Sequence, residues 1–165
     1  MNSVASSRPV LTGDCELTAD PQVSFQLVLG SCVAACVWDP KAGIGGVNHF
    51  LLPHAAAGHG QSALRVGGAF LMERLIESLA ARGAALDRLQ ARIFGGANLI
   101  GSTVGQRNVE FATAFLRNRW IALASSDVGG RTGRWLRVWP AHGRVEVRHI
   151  EPPAQALGAP ASIAF

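Results

Sequence analysis

The feature that most restricts this chain is the run Ser31-Cys32-Val33-Ala34-Ala35-Cys36-Val37-Trp38. From Cys32 onward it is apolar, carries two valines and holds no turn residue, which suits a buried strand. The wider apolar stretch, 27–38, has only 12 residues and includes Gly30 and Ser31. A membrane-crossing helix needs about 20. The run therefore belongs in the core of a folded domain. At 165 residues the chain is long enough to build that core without disulfide or metal staples. A hydrophobic fraction of 48% with 16% charged residues excludes a disordered chain.

Around this run the pattern is one of short strands and two helices. Residues 22–29 alternate and read as a strand, 32–38 as the buried one, and 46–52 as a third, stopped by Pro53. Asp39-Pro40-Lys41-Ala42-Gly43 is a turn signal. Residues 54–61 form a Gly/Ala/His loop, after which Ser62 is placed to cap a helix over 62–82. Leu64, Gly68, Met72, Leu75, Ile76 and Leu79 share one face of it, and Gly83 is the expected stop. A strand over 89–94 runs into Gly95-Gly96-Ala97-Asn98. A second helix follows over 107–119, with Val109, Ala112, Phe115 and Leu116 inward, then a strand over 121–125. After a Gly-rich turn, 134–139 and 144–150 pair as a hairpin across Ala141-His142-Gly143. The expected fold is mixed α/β, a layered mixed sheet with two principal covering helices. The four tryptophans are expected in the core or at its edge.

The N-terminal MNSVASSRPVLTGD lacks the basic start and apolar core of a secretory signal. Cys15 follows Asp14, without the apolar stretch of a lipoprotein signal. The expected compartment is the cytoplasm, where Cys15, Cys32 and Cys36 are free thiols. The net charge of +4 is unevenly spread. Residues 117–148 hold seven arginines against Asp127 and Glu146, whereas 1–60 hold Arg8 and Lys41 against four acids. The basic part suits an acidic partner, and a solvated surface is the simpler reading. No basic run is dense enough for a nucleic-acid patch.

The chemistry-bearing constellation is Gly30-Ser31-Cys32 with His49. A cysteine just after a Gly-Ser break at a strand end can be exposed, and a nearby imidazole can take its proton and hold an ion pair. A free thiol, with a pKa of about 8.5, is a poor nucleophile at neutral pH without such help. The plainer alternative is a small buried residue beside a core histidine. Cys32-x3-Cys36-x12-His49-x4-His54 also fits a zinc-finger spacing. In a strand, however, Cys32 and Cys36 lie ~13 Å apart at ~3.3 Å per residue, and Pro53 breaks the helix a finger needs. No metal is expected. Gly96-x4-Gly101-Ser102-Thr103 imitates a phosphate loop, with Ser102 in place of the lysine, so a tight glycine turn is preferred. His54, His59 and His142 read as surface residues, and His149 carries no signal.

The block LGSCVAACVWDPKAGIGGVNHFLLP (29–53) resembles the signature of the CheD family of bacterial chemoreceptor glutamine deamidases. IFGGAN (93–98), Gly105-Gln106-Arg107-Asn108, Asp127-Val128-Gly129-Gly130 and Gly133-Arg134 match in order, so the likeness spans about residues 22–148. By length and composition the chain reads as one domain over 1–165, with a core at about 22–150 and loose ends at 1–20 and 151–165. The likeness implies a layered α/β cysteine hydrolase, a protein-glutamine glutaminase needing no cofactor. The substrate would be a glutamine on the cytoplasmic helices of chemoreceptors, and the glutamate product also a methylation site. Some members also hydrolyse receptor methyl esters, and some bind the CheC phosphatase. Carried over by position, Cys32 matches the nucleophile and His49 the general base. The family's third member is a threonine shortly before Gly-Ser-Cys. Here Gln26 stands at that position, and its amide oxygen can accept an imidazole N–H. Ser24 shares its strand parity. The expected oxyanion donors are backbone N–H groups near the Gly-Ser-Cys turn. A monomer suffices, with no nucleic acid and no membrane insertion. If the missing threonine disables the chemistry, the alternative is an adaptor that binds receptor or CheC.

Overall fold

A computed structural model describes residues 7–52 and 67–151. In chain order the elements are β1 (Ser7–Pro9), β2 (Cys15–Thr18), β3 (Ser24–Leu29), β4 (Val33–Asp39), β5 (Ile44–Phe50), α1 (Gly68–Ala81), β6 (Gln90–Gly95), α2 (Val104–Asn118), β7 (Ala122–Val128), β8 (Gly133–Trp139) and β9 (Arg144–Ile150). Single 3-10 turns at Leu86–Arg88 and Pro140–His142 complete the set.

The strands form two sheets, one in the order β2-β5-β4-β6-β7 and one in the order β1-β3-β8-β9. Each is antiparallel except at one edge, where β6 and β7, or β1 and β3, run parallel. The apolar run explains the layering. All seven residues of β4 are buried, and successive side chains point to opposite faces. Val33, Ala35 and Val37 join the core under the helices with Leu71, Met72, Leu75 and Leu79. Ala34, Cys36 and Trp38 join the core between the sheets with Phe25, Leu27, Leu29, Leu136 and Val138. Helices, five-stranded sheet and four-stranded sheet thus make three layers with β4 central. Burying each large aliphatic side chain is worth about 1.5–3 kcal/mol, so two cores on one strand fix its place.

Asp39 closes the β4–β5 hairpin. Its buried carboxylate accepts the Lys41 and Ala42 amides at 2.9 and 3.1 Å, the Ala85 amide at 2.9 Å and the Arg88 guanidinium at 2.7 Å. The Arg88 bond, against the opposing effect of burial, holds this carboxyl well below the usual carboxylate range. The expected turn is therefore also a tie to the 3-10 turn beyond α1.

The layered mixed α/β fold is the expected one, with several differences of detail: α2 begins three residues before the expected 107, and β7 runs on to Val128 past the expected end at 125. Residues 7–20, expected to be loose, supply β1 and β2, because Cys15, Leu17 and Val10 each have apolar neighbours to cover. The β3 and β8–β9 strands form a second sheet on the far face of β4. The third strand sits two residues earlier than expected, at Ile44–Phe50: Leu51 is exposed, and the Leu52 amide goes to the Asn108 side chain. Trp120 is 93% exposed, unlike Trp38 in the core. It ends α2 at φ 56, where glycine is usual, through Trp120 N–H to Arg117 O and Ile121 N–H to Leu116 O. The expected cap Ser62, Leu64, the loop 54–61 and both its histidines lie outside the described residues, as do 1–6 and 152–165. No helix among the described residues is long and apolar enough to cross a membrane.

Candidate active site

Cys32 lies one residue before β4, in the turn that brings the chain over from β3. The Gly95-Gly96-Ala97 loop holds this turn: Gly96 N–H donates to Cys32 O at 2.8 Å and Ala97 N–H to Gly30 O at 2.9 Å. Gly95 has φ 101, and a Cβ there would run into the Cys32 carbonyl, so only glycine fits. From α2, the fully buried Asn108 donates Nδ2 to Ser31 O at 2.7 Å and accepts Leu52 N–H at 2.9 Å. It ties the residue before Cys32 to the chain leaving β5.

His49 is the next-to-last residue of β5, and its alternation with Val47 turns it toward the inter-sheet side. The segment between β1 and β2 wraps around it. Gly13 N–H donates to His49 O at 2.7 Å, and His49 N–H donates to Asp14 O at 3.1 Å. The Asp14 carboxylate closes the turn by accepting Leu11 N–H at 2.8 Å. Two groups of this segment meet the ring: Val10 O lies 3.1 Å from Nδ1, and Thr12 Oγ1 lies 3.3 Å from Nε2. The same hydroxyl is 3.9 Å from Cys32 Sγ. A carbonyl only accepts, so Nδ1 carries the proton and Nε2 presents its lone pair to the hydroxyl. The hydroxyl can accept from the thiol while donating to Nε2, which joins Cys32 to His49 in one hydrogen-bonded line.

Burial sets the charge state. It pushes the Cys32 thiol up, with the Thr12 hydroxyl and Cys32's own amide pulling the other way. It pushes His49 down, against the Val10 carbonyl and the Asp14 charge. Both directions favour a neutral thiol beside a neutral imidazole over an ion pair. Cys15 and Cys36 are pushed further, to about 11 and about 12, both chiefly by burial. Cys32 is thus the thiol with both partial exposure and a base in line. A cavity of about 500 Å³ opens on the Thr12 and His49 side of the pair, lined among others by Val10, Thr12, Gln26, Val28, His49 and Trp135, with Cys32 outside its lining.

Cys32 and His49 therefore come together, while Gln26 stands on the cavity wall. Its backbone carbonyl accepts Val10 N–H at 2.9 Å, and its side chain makes no hydrogen bond to His49 among the described residues. The group at Nδ1 is the Val10 carbonyl instead. Ser24 is buried and accepts from Arg137 at 3.1 Å, away from the ring. Sequence reasoning missed Thr12 and Val10. The signal was the apolar pair Val10-Leu11 followed by Gly13-Asp14, a turn between two short strands. Cys36 sits in the inter-sheet core. The phosphate-loop imitation is a close glycine approach, since a Cβ on Gly96 would meet Val109 and the Gly105 carbonyl. His142 is exposed, as expected. His149, without a sequence signal, accepts or donates between Thr132 Oγ1 at 2.8 Å and Asp127 Oδ2 at 2.9 Å.

The chain matches known proteins over most of its length. The family model for CheD, chemotactic sensory transduction, matches residues 51–149. A probable chemoreceptor glutamine deamidase CheD of Caulobacter vibrioides is 48% identical over 86% of this chain and 76% of that protein. One of the same description from Agrobacterium fabrum is 45% identical over 87% and 80%. Among solved structures, the hypothetical protein YfiH of Bacillus licheniformis gives a TM-score of 0.36 at 17% identity, over 49% of this chain and 26% of that one, too slight a likeness to bear on fold or function. With relatives this similar spanning most of both chains, the protein belongs to the CheD family.

Proposed function

We propose that this chain is a protein-glutamine glutaminase that converts glutamine side chains of chemoreceptors to glutamate, with Cys32 as nucleophile and His49 as base. The single observation that carries the mechanism is the line from Cys32 Sγ through Thr12 Oγ1 to His49 Nε2, with Nδ1 held by the Val10 carbonyl. The names of the relatives support the substrate.

As sulfur attacks the glutamine carboxamide carbon, the thiol proton passes by way of Thr12 to His49. The Cys32 amide, which faces its own sulfur, is the donor assigned to the oxyanion. The imidazolium then protonates the departing nitrogen, and ammonia leaves a thioester. His49 next takes a proton from water, whose oxygen attacks the thioester. Glutamate departs and the thiol is restored. A buried neutral pair suits this path, since charge develops only as substrate reacts. Gln26, on the cavity wall, serves as a substrate contact instead of an orienter of the ring. Each turnover adds one negative charge to a receptor helix, and through that charge tunes adaptation. The chemistry is that of a cytoplasmic enzyme, and CheC is a further partner by family likeness.

High-resolution mass mapping of a receptor cytoplasmic fragment tests the reading. Wild type is expected to raise each target glutamine by about 1 Da, the amide-to-acid exchange, and Cys32→Ala to raise none. No gain with wild type on cognate glutamines would overturn the enzyme reading and leave an adaptor.

A further inference from the structure

The outer face of the four-stranded sheet has an unusual make-up. Leu136 and Val138 of β8 point into the inter-sheet core, so Trp135, Arg137 and Trp139 point away from it. In register on β9, Arg148 lies opposite Trp135, Glu146 opposite Arg137, and Arg144 opposite Trp139. The Arg148 guanidinium sits 5.1 Å over the Trp135 ring, while Arg137 and Arg144 sit 4.9 and 4.3 Å over Trp139. Stacking fixes each guanidinium by its face; Arg137 gives Nε to Ser24 and Arg144 one Nη2 bond to Glu146, and the remaining edge donors of the three point outward. Glu146, bonded to Arg144, is the face's acidic residue.

This face is where the arginine excess of 117–148 becomes usable. Arg134 is buried against Asp127, and Arg119 is paired with Glu73. The face is also continuous with the cavity. Gln26 and Val28 of the cavity wall lie opposite Arg137 and Trp135, and Trp135 itself lines the cavity. Two rows thus lead outward from the site: Val28-Trp135-Arg148 and Gln26-Arg137-Glu146.

We propose that this Arg/Trp face docks an acidic helical segment of the receptor that bears the target glutamine. The proposal rests on the deamidase reading. Its reaction leaves a carboxylate at every processed site, so a segment with several targets presents acids beside the next glutamine. One helical turn advances about 5.4 Å, and neighbouring strands lie about 4.8 Å apart. In a helix laid across the strands with its glutamine over β3, acids one turn away reach Arg137 on β8. Acids two turns away reach Arg144 and Arg148 on β9. The half-buried Trp135 supplies the apolar contact, while Trp139, 9% exposed beneath Arg137 and Arg144, serves as the platform that holds those guanidiniums.

The test compares Arg144→Glu/Arg148→Glu with a charge-matched control, Arg82→Glu/Arg117→Glu, placed on the two helix ends. Binding of a receptor cytoplasmic fragment is titrated with each pair in a Cys32→Ala background. Deamidation by each pair is followed with Cys32 intact, and alkylation of Cys32 reports that the site is preserved. The expected result is a loss of binding and a rise in KM of about tenfold or more for the β9 pair alone. Cys32 alkylation stays unchanged, and the salt dependence seen for wild type between about 50 and 200 mM is flattened. Equal behaviour of the two pairs overturns the docking proposal, as does binding of an oligonucleotide in place of the fragment. Wild type that binds through this face without deamidating overturns the enzyme reading and keeps the docking one.

Discussion

Two histidines in this molecule each face a threonine hydroxyl, and their surroundings differ in every other respect. His49 is buried, with a backbone carbonyl on one nitrogen and the Thr12 hydroxyl on the other, leading to a thiol. His149 is about half exposed, bonded to Thr132 and to the Asp127 carboxylate. The second arrangement has the residue types of a hydrolase triad. Its carboxylate, however, is shared with Arg134, a nearly fully buried cation that also donates to Gly129 O at 2.9 Å and Thr132 O at 3.3 Å. Burial acts to raise the Asp127 carboxyl, and the hydrogen bonds from His149 and Arg134 outweigh it, holding it low. From there a line of backbone bonds runs to Cys32, the proposed nucleophile: Gly129 N–H to Gly95 O, then Gly96 N–H to Cys32 O. The Asp127–Arg134 pair braces the loops, and the part-buried Thr12–His49 arrangement holds the proposed reactive groups. A charge permanently paired is a good strut and a poor proton carrier.

The largest expected effect separates the two histidines by activity. His49→Gln should slow deamidation by about 10²–10⁴-fold in the mass assay, the range for loss of a general base. His149→Gln should leave it within about twofold, as an exposed residue not in the reacting line. The reverse order would break the comparison. Arg134→Met should show the opposite profile, costing about 3 kcal/mol in urea unfolding. It strands two carbonyls and one oxygen of Asp127, and the partial exposure of that carboxylate keeps the cost at the low end for a broken buried pair.

The neutral state of the Cys32–His49 pair gives a pH test. Iodoacetamide labelling of Cys32 should keep rising past pH 9.0, because burial raises this thiol above that value. An ion pair would instead reach its plateau on the acid side of neutrality. Stability follows the same groups with opposite slopes. The folded His49 is harder to protonate than its ordinary 6.5, so the unfolded chain binds more protons below that value. Stability is therefore lost as pH falls through 6.5. The folded thiols keep protons that the unfolded chain releases above 9.0, with Cys15 and Cys36 held to about 11 and about 12. Stability should fall as pH rises through that window, read as a drop in the urea midpoint.

The smallest effect sharpens the role of the hydroxyl. Thr12→Val keeps the shape and removes the link, and should lower kcat/KM by about tenfold, or about 1.4 kcal/mol. Thr12→Ser should restore most of it. Equal rates for Val and Ser would reduce Thr12 to packing.

Elements with a strong local signature were legible in the chain. The apolar β4, the turn at Asp39–Gly43, the α1 face Met72-Leu75-Ile76-Leu79 and the β8–β9 hairpin stand where patterning put them. The N-terminal strands were not, because at 3 and 4 residues they are too short for a period to show. Trp120 was misjudged because its exposure comes from the way α2 ends.

At the site the division has the same cause. Sequence alone named Cys32 and His49, since a Gly-Ser-Cys break and a strand histidine are local features that a family likeness can index. It offered Gln26 as their companion because position along β3 was all it could count. Only the tertiary structure brought Val10 and Thr12 to the imidazole, through backbone hydrogen bonds between segments 35 residues and more apart. It alone shows that burial pushes the Cys32 thiol up and His49 down, because desolvation belongs to the packed layers around a residue and leaves no mark in the residue's own neighbours in the chain.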